Sequence, residues 1–346
     1  FHPEPALPAP LMASLSPWHP VTVRRRWLLL PALALLAALL AAAWHLKLPA
    51  LAWHWAGTLR QEDVWRSKSL WLPDYRATID AHPIEGVSHN ASGLTYDDRT
   101  HTLYLAINHP AEILELTTGG RILRRIPVTG VEDLEGLTHV RDDEFFLIDE
   151  RRQRIYWIPI RPETTRIDVA DAPWLGLGIL LNGNLGFEGV SWNGGRNLLF
   201  VAKEKSPPRV FHIEGLLPET RPGAPMNLQI HEWRPEVDPG RFLRDLSSLS
   251  LHDQSGHLLI LSDESRILAE YSKAGELISL MPLWRGWHGL ERTIPQAEGV
   301  TVDAQGTIYI VSEPNLFYRF ERTEAPHSKQ ARRDSQKLAV QAARRP

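Results

Sequence analysis

The stretch EGVTVDAQGTIYIVSE, residues 298–313, sets an acidic residue beside a glycine, then an apolar run, a turn, a second apolar run and a second acidic residue. A turn such as DAQG between two β-branched runs is a hairpin signal. The opening quartet returns as EGLT at Glu135 and EGVS at Glu188, and with serine in first place at Ser92 and Ser247. Successive starts lie 43, 53, 59 and 51 residues apart. Every copy continues in one pattern, with turns YDDRTH, RDDE, NGGRN, HDQSGH and DAQG and runs LYLAI, FFLI, LLFVA, LLILS and IYIVS. A third strand follows each, from EILEL in the first copy to LFYRF in the last, and GGRILRRIPV and AGELISLMPL add a fourth in copies one and four. Helical stripes of period 3.6 are absent from this region. Repeats of this length built from short strands predict the blades of a β-propeller.

The last copy stops after its third strand, near Phe320, while a spare strand, YRATID at Tyr75–Asp80, precedes the first. Lending that strand to the last blade closes the ring and removes an unpaired edge. The expected fold is therefore an all-β, five-bladed β-propeller. The alternative count is six, with a degenerate blade inside Arg161–Asn184 or Glu214–Arg241.

Composition narrows the function classes. The formal net charge of -3 over 346 residues makes no demand for nucleic acid. Between residues 75 and 321, 24 basic residues face 35 acidic ones, so the body repels phosphate backbones and attracts cations. With no cysteine, disulfides, thiolate metal sites and a cysteine nucleophile are all excluded. No GxSxG elbow, phosphate loop, GxGxxG or EF-hand loop occurs, and the histidines His89, His109, His139, His252 and His288 show no zinc spacing.

The N-terminal region reads as an anchor, with a cleavable signal peptide, for which Ala41–Ala43 offer small residues, as the alternative. Arg24–Arg26 precede WLLLPALALLAALLAAAWHL, residues 27–46, an apolar run of the length that crosses a hydrocarbon core of about 30 Å. The arginines hold the preceding segment inside, which leaves the chain beyond Lys47 outside. The expected organisation is a cytoplasmic segment 1–26, a transmembrane helix or uncleaved signal anchor 27–46, a periplasmic spacer 47–74, the propeller 75–321 and a disordered basic tail 322–346. Trp53, Trp55, Trp65 and Trp71 in the spacer fit an interfacial belt. The expected location is a bacterial inner membrane, single-pass through residues 27–46, with the propeller in the periplasm.

The body also resembles a known family, the SdiA-regulated family of bacterial envelope proteins, itself distantly similar to NHL-repeat propellers. The stretches that carry the resemblance are YRATID, INHPAEILE, EDLEGL, DERRQRIY, GFEGVSW, KEKSPP, SDESR, QAEGVTVDAQGTIYIVSEPN and FYRF. The resemblance implies a five-bladed propeller with a calcium site behind an N-terminal membrane segment, and it implies no reaction.

In a propeller the first strand of each blade lines the central channel, so equivalent residues form a ring. Glu135, Glu188 and Glu298 belong to one such ring, which Ser92 and Ser247 complete. Glu150, Glu204, Glu264 and Glu313, with Asn108, repeat after the second strand and form another. Crowded carboxylates call for a cation, and hard oxygen ligands favour Ca2+. The glycine beside each glutamate lets backbones approach closely. Against this stands a structural role for each glutamate alone, paired with Arg151, Lys203, Lys205 or Arg266. Two functions compete on this basis. One is a membrane-tethered calcium-binding scaffold that engages an envelope protein or small-molecule ligand. The other is a calcium-dependent lactonase- or esterase-like hydrolase, with His139 or His109 as its acid or base.

Overall fold

The computed structural model describes residues 22–178, 186–205, 207–216 and 227–323, with side chains from Leu29 onward. The segment 1–21, most of the predicted cytoplasmic stretch, and residues 324–346 of the predicted tail lie outside the described residues. Two units are distinct, one ending at His45 and one beginning at Leu46. The first holds α1 (Thr22–His45), which contains Pro31 and whose leucines from Leu29 to Leu40 are all exposed. Among the described residues no single helix is long and apolar enough to cross a membrane, and Leu29–His45 with Leu48–Leu59 passes that test only as a pair.

The second unit opens with α2 (Leu48–Leu59) and the single turn α3 (Glu62–Trp65), then β1 (Tyr75–Pro83). Blade one is β2 (Ala91–Asp97), β3 (Thr102–Ile107), β4 (Glu112–Leu116) and β5 (Ile122–Thr129). Blade two is β6 (Leu134–Arg141), β7 (Glu144–Asp149) and β8 (Arg154–Pro159). Two short strands come next: β9 (Ile167–Asp168) joins β5 in parallel, and β10 (Trp174–Gly176) is the fourth strand of blade two. Blade three is β11 (Phe187–Asn193), β12 (Leu198–Lys203), β13 (Arg209–Glu214) and β14 (Gln229–Glu232). Blade four is β15 (Ser248–His252), β16 (His257–Ser262), β17 (Ile267–Tyr271) and β18 (Leu277–Pro282). Blade five is β19 (Ala297–Val302), β20 (Ile308–Ser312) and β21 (Leu316–Arg322), and β1 pairs antiparallel with β21.

The fold is thus an all-β five-bladed propeller closed by the N-terminal strand. The stretches in which a sixth blade was conceivable supply β9, β10 and β14, outer strands of blades one, two and three. The hairpin turns rest on short polar side chains. Asp303 Oδ1 accepts from the N–H groups of Gln305 (3.0 Å) and Thr307 (2.8 Å), and Asp97 and Asn193 hold the corresponding turns through Arg99 N and Arg196 N.

The blades pack face to face through five separate hydrophobic clusters, one between each neighbouring pair. Each blade is therefore covered on both faces, which is why the second strands read as unbroken apolar runs. HLLILS in β16 and LLFVAK in β12 are buried at every position.

The stretch 47–74 is not a free spacer. Lys47 Nζ donates to the carbonyls of Gly240 (2.6 Å) and Leu243 (2.5 Å), and Leu51 joins the cluster between blades three and four. Farther along, Leu70, Trp71 and Leu72 are buried. The fully buried Glu270 carboxylate accepts from Leu70 N (2.9 Å) and Trp71 N (3.0 Å), and also from Ser279 Oγ (2.8 Å), while His257 Nδ1 stands 2.8 Å away. Tyr75, at the start of β1, is buried and donates its hydroxyl to Gly306 O at 2.6 Å.

Candidate functional site

The quartet that opens each blade divides its labour by position. The glycine lies against the backbone of the next blade. A Cβ on Gly93 would stand 2.7 Å from Glu135 O, one on Gly136 2.8 Å from Glu188 O, and one on Gly189 2.8 Å from Leu249 N. Gly299 closes the ring against the carbonyl oxygen of Ser92. The fourth position carries a hydroxyl that bridges the same seam: Thr95 Oγ1 accepts from His139 N (3.1 Å), Thr138 Oγ1 from Trp192 N (3.1 Å) and Ser191 Oγ from Leu251 N (2.9 Å). In blade four Ser248 replaces the glycine and accepts from Val300 N at 3.2 Å. Two of the four positions are therefore joinery, which leaves the first free for chemistry.

The first-position acids converge. Burial, reinforced by the charge of Asp133, pushes the Glu135 carboxyl up to about 8. Burial raises Glu188 well above the carboxylate range, and Glu135, Glu150, Glu204 and Glu298 add to the effect. Glu298 is pushed up to about 8 by burial and by Asp263, Glu313 and Asp245. Acids from blades two, three and five thus feel one another across the axis. The serines at this position turn to backbone carbonyls instead: Ser92 Oγ lies 3.5 Å from Asn90 O and Ser247 Oγ donates to Ala297 O at 2.7 Å.

Among the described residues Asp133, Glu135 and Glu150 form a group in which one oxygen of each lies within 4.8 Å of the others. Asn108 Nδ2 donates to Asp133 Oδ1 (2.7 Å) and Glu135 Oε1 (2.5 Å), while Glu150 Oε1 accepts from Gly186 N (2.8 Å). Arg151 approaches Asp133 Oδ2 from the exposed side at 3.3 Å. Oxygens bound to one calcium ion, each at about 2.3–2.6 Å, lie no more than about 5 Å apart, so the three carboxylates are close enough to share one ion. Turning the Asn108 amide end for end presents its carbonyl to the same point. The donor set is all hard oxygen, and it fits that ion.

Hairpin register corrects one expectation. Gly136 pairs with Ile148, Gly189 with Ala202, Gly299 with Val311 and Ser248 with Leu261. Two residues beyond each partner stand Glu150, Glu204, Glu313 and Asp263. Asp263, not Glu264, is therefore the ring member of blade four. Glu264 is engaged by Arg244 (2.8 Å) and Lys205 (3.1 Å), and Lys205 also holds Glu204, so these two glutamates follow the ion-pair alternative. Lys203, offered as another partner, instead donates to Lys205 O.

A family model described as SdiA-regulated matches residues 67–321, well over half of the chain. The chain belongs to the SdiA-regulated family. Among solved structures, this SdiA-regulated propeller is similar to a chain of a nidogen/laminin complex at 15% identity, covering 65% of this chain and 73% of that one with a TM-score of 0.42. It is also similar to a streptogramin B lyase (9% identity, 72% and 98% covered, TM-score 0.43) and to regucalcin, a calcium-binding protein from Agrobacterium tumefaciens str. C58 (10% identity, 70% and 92% covered, TM-score 0.45).

Of the two histidines offered as a hydrolytic base, His139 lies at the far end of β6, four residues and about 13 Å of strand from Glu135. Its Nε2 meets Asp142 O at 2.9 Å, and its ring lines a small cavity with Asp98, Ser191 and Asp253. His109 is exposed beside Asn108. Asp133, Asp245 and Asp263 were not among the predicted ligands. Asp133 and Asp245 share a signal, an aspartate two residues ahead of the quartet in EDLEGL and RDLSSL.

Proposed function

We propose that this SdiA-regulated propeller is a calcium-binding scaffold, tethered to the inner membrane by residues 27–46 and facing the periplasm. The observation that carries the reading is the meeting of Asp133, Glu135 and Glu150 within 4.8 Å, with Glu188 and Glu298 half-buried in the same acidic ring. A buried set of carboxylates repels itself unless protons or a cation neutralise it, and an all-oxygen set favours Ca2+ over zinc. The ion supplies positive charge at the axis. The chain's own residues hold it: Asp133, Glu135 and Glu150 as carboxylate donors, Asn108 as an amide donor, Glu188 as neighbouring charge. The ring thereby locks the blades, and its open face is free to engage an envelope protein or small ligand. The hydrolase alternative loses His139 as the base beside the metal.

Isothermal titration of Ca2+ into the full chain in detergent, after chelator treatment, tests the site. The expected result is saturable binding at one site, weaker for Mg2+, which demands stricter octahedral geometry. Absence of saturable binding overturns the reading. An export-dependent reporter fused after Phe320 tests the topology: it should be active, and activity of a cytoplasm-dependent reporter at that point would refute it.

A further inference from the structure

The four tryptophans read as one belt do not share one fate. Trp71 is buried, Trp65 meets His257 edge-on at 6.0 Å, and Trp55 meets Trp287 at 4.9 Å. Trp53 alone is turned out, with 74% of its surface exposed. It sits on α2, whose sequence LPALAWHWAGTL contains no acidic or basic residue other than His54. One face of this helix is turned to the propeller, where Leu51 and Thr58 are buried and His54 meets Phe242 at 5.1 Å. The opposite face is apolar as well: Leu48, Ala52, Trp53, Ala56 and Leu59 are exposed at spacings of a helical stripe. A helix apolar all round is expected to be covered all round.

Trp287 extends the same surface. It is 43% exposed and stands in a loop fixed by Gly286 N to Leu290 O (2.9 Å) and Leu290 N to Trp287 O (2.9 Å). Arg285 is exposed beside it, and Arg60 comes directly after the end of α2. No acidic residue occurs in 46–61 or in 283–290. The patch is therefore apolar and aromatic, with Arg60 and Arg285 exposed at its edge.

We propose that the outer face of α2 and the Trp287 loop rest on the interfacial layer of an anionic lipid bilayer, so that the flank of blade four lies on the membrane. This rests on the anchored reading above, since only Leu46 and Lys47 separate α1 from α2 in sequence. The chemistry selects the occupant. Tryptophan favours the headgroup level, leucine the acyl boundary, and arginine the anionic headgroup. A second copy fits less well, because a two-fold contact sets one patch, with its edge arginines, on another.

The absence of native cysteine allows single reporters. The full chain, carrying Trp53→Cys, Ala56→Cys or Trp287→Cys and an environment-sensitive fluorophore, is reconstituted into vesicles of phosphatidylethanolamine and phosphatidylglycerol containing nitroxide lipids. Trp174→Cys, on the exposed strand β10 of blade two, is the control. Ala56→Cys keeps both tryptophans in place should their loss disturb packing. Several-fold stronger quenching at 53, 56 and 287 than at 174 is expected. If the chain floats with the vesicles but those sites quench no more than 174, the docking surface is refuted while the anchor stands. Shielding from aqueous iodide without lipid quenching assigns the patch to a protein and also refutes it. If the chain does not float, the anchored reading fails and the proposal falls with it.

Discussion

Gly299 lies against the carbonyl oxygen of Ser92, so close that a Cβ at residue 299 would overlap it and would stand 2.6 Å from Val311 Cγ2. This is the seam where the last blade meets the first. It explains why the glycine of the quartet returns at 93, 136, 189 and 299 whatever its neighbour is.

Gly299→Ala should therefore destabilise the propeller by about 1–3 kcal/mol, the usual cost of overpacking. Gly57→Ala, in α2 with nothing within 4 Å of the added methyl, should be neutral or stabilise by up to about 1 kcal/mol. Denaturant unfolding of both variants checks the contrast. Equal effects would mean that the seam is looser than this contact requires.

The Glu270 latch makes a second prediction. Glu270→Ala leaves Leu70 N, Trp71 N, Ser279 Oγ and His257 Nδ1 without their common partner in a buried site. Leaving buried hydrogen-bond donors unsatisfied costs about 1–3 kcal/mol each. Amide exchange at Leu70 and Trp71 should accelerate more than exchange at Leu259 in β16. Unchanged protection at 70 and 71 would show that burial alone holds the segment.

What the sequence disclosed and what it hid have separate physical causes. The blades were legible because both faces of each are covered, so the period of turn and apolar run survives in every copy. The closing strand was legible because one strand was missing at one end and spare at the other. The ring position of blade four was hidden because LLILSDE offers two adjacent acids, Asp263 and Glu264, and only pairing of Ser248 with Leu261 chooses between them. Asp133 was hidden because it lies just before β6, outside the strand pattern. Trp71 passed for a membrane-belt residue because nothing local announces that Glu270, 199 residues away, draws it inward.

A third prediction concerns pH in the absence of metal. Glu135 and Glu298 hold their protons up to about 8 against an ordinary 4.5, so folding favours the protonated form. Their contribution to stability is complete below about 4.5 and is lost as pH rises through about 8. The buried histidines His252 and His288 are shifted the other way, below an ordinary 6.5, and contribute stability that is complete above that value. Between pH of about 6.5 and 8.5 the histidine contribution no longer changes; Lys47 and Lys203, lowered by burial, oppose the more numerous raised acids of the ring, so the Tm in chelator should fall across that window. A flat or rising Tm there would mean that the ring is not held protonated.

The last prediction separates ligands from neighbours. A ligand bound only by the native state stabilises it by mass action, by roughly 2.7 kcal/mol at about 100 times its Kd. The full chain should therefore show a Tm that climbs with the logarithm of Ca2+ concentration. Asp133→Asn removes one carboxylate of the triad and should abolish most of that climb. Glu188→Gln removes a charge that burial and four acidic neighbours already disfavour, so the metal-free variant should be no less stable than the parent while its calcium response shrinks. Glu264→Gln should leave the calcium response intact, because Arg244 and Lys205 already neutralise that side chain. Differential scanning calorimetry of the four proteins, each with chelator and with calcium, reads all three contrasts. Equal loss of the calcium response in Glu264→Gln and Asp133→Asn would show that general acidity, rather than the group at Asp133, Glu135 and Glu150, attracts the ion.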